Sequence, residues 1–201
     1  KSELLDLQKA PRADDPFGGF SSIVRGPRMP RVFASPGTIY EPEGEARDYW
    51  RTARALHAAG FRSGEPNHNS FTYHMTPAGP IMESGGRAMG CTVFAGGTGQ
   101  TEQQLEAMVD LKPEGYAGTP SFLKILLEKA EEKGLKLPSL TKALVSGEAF
   151  PPSLHDWIAA RGVKGTQCYA TADLGLIAYE TSPREGLVLG EGALGGLGRP
   201  R

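Results

Sequence analysis

Apolar positions along the chain fall into two alternating patterns. Short apolar or β-prone runs predict strands at positions 70–75, 91–95, 115–118, 143–145 and 163–169. Between them, apolar residues recur every three or four positions, which predicts helices at 45–59, 79–89, 101–111, 120–133 and 153–160. Strands that alternate with helices through short loops are typical of βαβ units. We therefore predict an α/β fold in which a largely parallel sheet is flanked by helices.

Local signals mark the ends of several predicted helices. Gly60 follows the first long helix, and glycine commonly ends a helix. Thr101 and Gln104 form a capping-box pattern at the start of another. Thr119 suits an N-cap, and Pro120 suits the first helical position after it.

Composition and charge are those of an ordinary globular protein. Of the 201 residues, 39% are hydrophobic and 22% are charged, and the net charge is -1. This balance argues against bulk electrostatic attraction to nucleic acid or to a membrane surface. The sequence contains no signal peptide and no apolar run long enough to span a bilayer. We therefore expect a cytoplasmic protein without nucleic-acid or membrane partners.

The cysteines and histidines do not form a recognisable metal-binding pattern. The two cysteines, Cys91 and Cys168, each lie in or beside a predicted strand. Buried free thiols in a reducing compartment are the favoured interpretation. The four histidines are scattered along the chain, and their spacing does not predict a metal cluster.

Two predicted strands end in small residues accompanied by an acidic side chain. One is followed by Gly147 and Glu148; the other ends at Tyr169 and is followed by Asp173. In open α/β sheets, ligands lie at the carboxyl ends of the strands. Adjacent strand ends of this kind would offer backbone groups, an aromatic face and two carboxylates to one ligand. This combination predicts a nucleotide pocket.

Four stretches carry a more specific pattern: CTVFAGGTGQTE from Cys91, GTPSF from Gly118, SGEAFP from Ser146 and YATAD from Tyr169. In their order and spacing they resemble the phenylacetate–coenzyme A ligase branch of the adenylate-forming enzymes. The resemblance extends over nearly the whole chain. It implies that a small carboxylic acid reacts with ATP to give an acyl-adenylate, and that coenzyme A (CoA) then displaces AMP. The implied cofactors are ATP or AMP, Mg²⁺ and CoA, and the family often forms homodimers.

The resemblance places positions 35–42 at the family's phosphate-binding loop. Ser35, Gly37 and Thr38 match the loop and are implied to bind the nucleotide phosphates. The chain lacks the second glycine and the lysine of the family pattern. Glu41 lies in this stretch instead, and its charge would repel the β- and γ-phosphates.

The resemblance also assigns residues to the adenine and the metal ion. Those implied to bind the nucleotide are Gly147, Glu148, Ala149, Tyr169, Ala170 and Thr171. Tyr169 matches the tyrosine that stacks on the adenine ring, and the catalytic hydroxyl has moved to Thr171. Asp173 replaces the family's glutamate and is implied to act in catalysis and to hold Mg²⁺, because a carboxylate is a suitable ligand for this hard cation.

Positions 71–75 lie where the family builds its acyl pocket. The implied substrate-binding residues are Phe71, Tyr73, His74 and Met75. Strand alternation would place Phe71 and Tyr73 on one face, and with Met75 they would form an apolar wall suited to an aryl or arylacetic acid. His74 has two interpretations, a gate for ATP or thiol entry and a hydrogen-bonded structural residue.

Residues 1–201 are thus expected to be the AMP-binding, large N-terminal domain of such an enzyme, incomplete at both ends and without the small C-terminal domain. Three functions stay open: an acid–CoA ligase, a non-catalytic nucleotide- or acyl-binding homologue, and an adenylating enzyme whose acceptor is a carrier-protein thiol or an amine. The residues alone also allow structural roles, with Tyr169 in the core, Asp173 as an N-cap and Glu148 as an acceptor for loop amides.

Overall fold

The chain order of helices and strands follows the alternation of the two hydrophobic patterns. The structure is a computed structural model that describes residues 2–10, 15–37 and 39–190. The described residues form nine strands: β1 (Arg31–Ser35), β2 (Ile39–Glu43), β3 (Pro66–Asn69), β4 (Thr92–Ala95), β5 (Gly115–Gly118), β6 (Lys142–Val145), β7 (Lys164–Thr171), β8 (Gly175–Tyr179) and β9 (Val188–Leu189). They also form six helices: α1 (Ser2–Lys9), α2 (Ala53–Ala58), α3 (Ala78–Met89), α4 (Thr101–Leu111), α5 (Pro120–Glu132) and α6 (Pro152–Ala159).

Seven of the strands form one sheet, in the order β4-β3-β5-β6-β7-β8-β9. The five strands from β4 to β7 in this order run parallel. β8 pairs antiparallel with β7 and with β9. β1 and β2 form a separate antiparallel hairpin. The predicted α/β fold with a largely parallel sheet flanked by helices is confirmed.

Alternating side chains of the central strands enter two different cores. On β6, Leu144 packs with residues of α2 and α3, whereas Ala143 and Val145 pack with residues of α4, α5 and α6. On β5, Ala117 and Tyr116 divide in the same way. Burial on both faces is the arrangement expected of parallel strands covered by crossover helices.

The predictions of a helix start at Thr119 and Pro120 and of buried free thiols are confirmed. Thr119 has extended backbone angles, its hydroxyl accepts a hydrogen bond from the Phe122 N–H at 3.4 Å, and proline follows it at the start of α5. The two cysteines are buried free thiols, and burial raises the pKa of Cys168 to about 12. None of the helices among the described residues is both long enough and apolar enough to cross a bilayer.

The helix predicted at 45–59 is wrong in its first half, because α2 begins only at Ala53. Arg51 has a left-handed backbone conformation, with φ of 63°, which interrupts a right-handed helix. The Asp48 carboxylate accepts hydrogen bonds from the N–H groups of Thr52 and Ala53, both at 3.0 Å, and so caps the start of α2. Trp50 is buried against the hairpin and α3 instead of lying on a helix face.

The capping box predicted for Thr101 and Gln104 is also wrong. The N-cap of α4 is Gln100, which has a left-handed conformation and makes no side-chain cap hydrogen bond. The Gln104 side chain instead bonds to the loop that precedes the helix, through the carbonyl groups of Gly97 and Gly99.

Candidate functional site

The carboxyl ends of β6 and β7 lie side by side. The two strands pair in parallel, and just beyond the end of β6 the Ser146 hydroxyl donates to the Cys168 carbonyl at 2.8 Å. Residues 147–149 and 169–173 therefore meet at one edge of the sheet. Tyr169 is 54% exposed there, so its ring is available to a ligand and is not part of the core.

Residues 147–149 form an exposed segment beside the start of α5. Gly147, Glu148 and Ala149 are all exposed, and Gly147 has a left-handed φ of 86°. A Cβ built on Gly147 would lie 3.8 Å from Cε1 of Phe71, which brings the predicted acyl segment next to the predicted adenine segment. The Glu148 carboxylate accepts a hydrogen bond from the Ser121 hydroxyl at 2.6 Å.

The turn formed by residues 171–175 connects β7 to β8. A register shift between Tyr169 and Ala170 interrupts the pairing just before it, and such irregularities re-aim side chains at the end of a strand. The Thr171 hydroxyl accepts a hydrogen bond from the Leu174 N–H at 3.1 Å and still has its own proton to donate. Asp173 is exposed.

The β1–β2 hairpin carries the stretch predicted to bind phosphate. Ser35 ends β1, and Gly37 lies in the turn with φ of 101° and with open space where a Cβ would be. Thr38 lies outside the described residues. The Ser35 hydroxyl donates to the Glu41 carboxylate at 2.6 Å, and both residues are buried. In this arrangement the donor hydroxyl of the predicted phosphate loop is engaged by an internal carboxylate.

A cleft of about 160 Å³ lies between the hairpin and the turn at 171–175. Both elements line it, through Tyr40, Glu41, Pro42, Ala172 and Asp173. Helix α1 borders the same cleft. Its Gln8 side chain pairs with both backbone groups of Tyr40, donating to the carbonyl at 3.0 Å and accepting from the N–H at 2.8 Å.

The strand predicted at 70–75 is wrong, because β3 ends at Asn69 and the following residues form a loop. Asn69 shapes this loop: its carboxamide accepts from the Phe71 N–H and donates to the Tyr73 hydroxyl at 2.8 Å. The strand alternation expected to place Phe71 and Tyr73 on one face therefore does not apply. Phe71 packs against the core on the α2–α3 side. Burial raises the pKa of Tyr73, and the nearby Glu83 carboxylate raises it further.

The remaining predicted acyl-pocket residues lie at the exposed tip of this loop. His74 and Met75 are both exposed, and Met75 has a left-handed φ of 61°. The Met75 carbonyl accepts a hydrogen bond from the Ala34 N–H of β1 at 2.9 Å. The loop after β3 is thus in contact with the hairpin, and the predicted phosphate, acyl and adenine segments form one continuous region.

Sequence comparison relates the chain to curated proteins named phenylacetate-coenzyme A ligase. The protein from Aromatoleum evansii is 30% identical over 188 residues, and that from Thermus thermophilus is 31% identical over 188 residues. The chain is a relative of the phenylacetate–coenzyme A ligases. Each alignment covers 85% of this chain and 42% of the relative, so the chain spans less than half the length of these ligases. No protein-family model matches the chain.

Structural comparison gives the same fold relationship. A crystal structure of 2-hydroxyisobutyryl-CoA ligase, in an open conformation with 2-HIB-AMP and CoA, superimposes with a TM-score of 0.81. The match covers 94% of this chain and 43% of that ligase, at 21% sequence identity. At this identity the likeness establishes the fold and nothing further about ligands.

The resemblance to phenylacetate–coenzyme A ligases implies a bound Mg²⁺ ion. The residues of the cleft fit this ion in a site where the protein supplies only one or two of its ligands. Mg²⁺ bound with nucleotides usually takes one or two carboxylates, together with phosphate oxygens and water. Asp173 is exposed in the cleft and can serve in this way. Within the described ranges, His, Cys, Asp and Glu residues do not gather in the groups of three or more that would hold a metal by themselves.

Sequence reasoning missed a buried polar network that lies behind the loops after β3 and β4. His68 of β3 is 1% exposed and bonds through Nε2 to Gln104 Oε1 at 2.7 Å. The Gln104 amide nitrogen donates to the carbonyl groups of Gly97 and Gly99 at 2.9 and 2.6 Å. The Asn69 carbonyl accepts from the N–H of Gly97, so the loops after β3 and β4 are joined. The only sequence signal was a polar stretch, which is more typical of a turn.

Proposed function

We propose that the chain is part of an AMP-forming acid–CoA ligase that activates an aryl or arylacetic acid with ATP and transfers the acyl group to CoA. The observation that carries this proposal is the meeting of residues 147–149 with an exposed Tyr169 at adjacent parallel strand ends. The names of the curated relatives support this reaction class and the use of CoA.

In this proposal the adenine lies against the Tyr169 ring and along the backbone of residues 147–149. Stacking of a base on an aromatic side chain contributes about 1–3 kcal/mol. The exposed positive-φ backbone at Gly147 allows a flat ring to approach closely, since no Cβ stands in the way. The ribose and α-phosphate then point along β7 toward the turn at 171–175.

The chemistry requires positioning and charge stabilisation, and it does not need a protein nucleophile. A carboxylate oxygen of the acid attacks the α-phosphorus, and the bond to the pyrophosphate oxygen breaks. The CoA thiolate then attacks the acyl carbon, and AMP leaves. Thr171 can donate its hydroxyl proton to an α-phosphate oxygen. Bound Mg²⁺ would offset phosphate charge, and Asp173 would hold it.

The acid is proposed to lie between the loop after β3 and the segment at 147–149. Phe71, which lies close to Gly147, supplies the apolar surface next to the nucleotide. The Tyr73 hydroxyl is held by Asn69, so this residue presents a ring fixed in orientation. His74 and Met75 lie at the exposed entrance of the proposed pocket.

The test is acid-dependent exchange of pyrophosphate into ATP by the full-length protein, followed by CoA-dependent thioester formation. Tyr169→Ala should weaken AMP binding about 5- to 150-fold, which corresponds to the loss of about 1–3 kcal/mol of stacking. Tyr169→Phe retains the ring and should bind within about twofold of wild type. Calorimetric titration with AMP measures both values. Equal affinities for the Tyr169→Ala and wild-type proteins would refute this placement of the adenine.

A second candidate function is a homologue that binds a nucleotide or an acyl group without turnover. The bond between the Ser35 hydroxyl and the Glu41 carboxylate favours it, because a phosphate oxygen would have to displace an anion from that donor. AMP binding without exchange for any acid tested would support this function over the ligase. Exchange that depends on an acid would exclude it.

A further inference from the structure

The turn at 171–175 is held in place by two residues far away in sequence. Indole Nε1 of Trp50 donates to the Ala172 carbonyl at 3.2 Å, and the Leu176 N–H donates to the Trp50 carbonyl at 2.8 Å. The Arg51 guanidinium donates to the Leu174 carbonyl. Backbone groups on both sides of Asp173 are therefore fixed by this pair.

The approach of the turn to Trp50 depends on a glycine. Gly175 has a left-handed φ of 65°, and a Cβ built on it would lie 2.6 Å from the Trp50 carbonyl oxygen. No side chain fits in that space without moving the backbone. The turn and Trp50 thus contact each other through main-chain atoms, which leaves little freedom in their relative position.

Trp50 also contacts the hairpin. The centroids of the Trp50 and Phe33 rings are 6.0 Å apart, and Phe33 lies on β1. Trp50 also packs with Ile81 of α3 in the same buried cluster. Trp50 itself is only 2% exposed. One buried residue therefore connects the strand that carries Ser35 to the turn that carries Asp173, on opposite sides of the cleft.

We propose that Trp50 and Arg51 are positioning residues that set where the turn at 171–175 lies relative to the hairpin. This inference rests on the proposed function, in which the turn supplies Thr171 and Asp173 to the nucleotide phosphate. Neither positioning residue contacts the nucleotide in that arrangement. Their effect is on the rate of adenylation, and the affinity for the adenine depends on Tyr169 and residues 147–149 instead.

The test uses Trp50→Phe, which keeps an aromatic ring in the cluster and removes the indole donor. In the full-length protein we expect kcat for acid-dependent pyrophosphate exchange to fall about tenfold, while Kd for adenosine, which lacks the phosphate that the turn contacts, stays within about twofold. Trp157→Phe on α6 is the matched control and should leave both values unchanged. Arg51→Met, which removes the second donor without truncating the side chain, should lower kcat in the same way.

Hydrogen–deuterium exchange provides a readout that does not need catalysis. Amides at 172–176 should exchange about tenfold faster in Trp50→Phe than in Trp157→Phe, with amides of β5 and β6 unchanged. The inference would be overturned if the variants at positions 50 and 51 both kept wild-type kcat and wild-type hydrogen–deuterium exchange. Equal losses in kcat, adenosine affinity and global protection from exchange would also overturn it. An inactive wild-type protein with the expected local exchange would overturn the proposed ligase function and support the structural part of the inference.

Discussion

Replacing Gln104 with methionine tests whether the buried network behind the loops stabilises the fold. Gln104 is 3% exposed and its carboxamide makes three hydrogen bonds, to His68, Gly97 and Gly99. Methionine has a similar length and removes all three. Because each such bond contributes about 1 kcal/mol net, the loss should be about 3 kcal/mol. For a chain of this size that corresponds to a fall in Tm of roughly 6–12 °C.

The assay is thermal unfolding followed by circular dichroism, with urea unfolding to check that the m-value is unchanged. Gln103→Met is the matched control, because Gln103 lies next to Gln104 on α4 but is exposed. It should change the free energy of unfolding by less than about 0.5 kcal/mol. A Gln104→Met protein whose Tm stays within a degree or two of wild type, or a Gln103→Met protein that falls equally, would refute the reasoning.

Two further predictions concern stability and pH. Burial alone would raise the pKa of Glu65, but hydrogen bonds from Lys142 and from the Arg62 N–H outweigh it and the pKa is lowered. The ionised Glu65 carboxylate therefore stabilises the fold above the unfolded pKa of about 4.3, and this stabilisation is lost as the pH falls below that value. Glu65→Gln should lower the free energy of unfolding, measured in urea, by about 2 kcal/mol at pH 7 and by much less at pH 3. Burial lowers the pKa of His68, against the raising effect of its bond to Gln104. The free energy of unfolding should therefore also decline as the pH falls below about 6.5. In His68→Gln, urea unfolding over the same pH range should show a shallower decline.

The elements that the sequence predicted correctly depend on local information. Strands β5 and β6 are short apolar runs with both faces buried, and a continuous apolar run is their expected pattern. The start of α5 was predictable because Thr119 and Pro120 act on the backbone next to them. The placement of residues 147–149 next to Tyr169 followed from one topological rule, that consecutive parallel strands end at the same edge.

The errors occur where partners distant in sequence decide the local structure. Positions 49–56 have helical periodicity, yet Trp50 packs against Phe33 and bonds to Ala172, 122 residues away. Strand β3 contains polar residues that resemble a turn, but they are buried because His68 finds a partner in Gln104, 36 residues away. Neither partner could be identified from a local window, since hydrogen-bond pairing across the fold leaves no periodic signal.

The β1–β2 hairpin restricts the proposed function more than any other part of the site, through both its sequence and its structure. The missing lysine of the phosphate loop could be deduced from the sequence, but the bond from Ser35 to Glu41 could not. Two carboxylates, Glu41 and Asp173, line the cleft there. Repulsion between anions grows with the charge of the ligand, so these groups oppose ATP more strongly than AMP or an acyl-adenylate. For the ligase function, a cation must therefore offset this charge or Glu41 must leave Ser35 before ATP binds. For a homologue that only holds the adenylate, neither change is required.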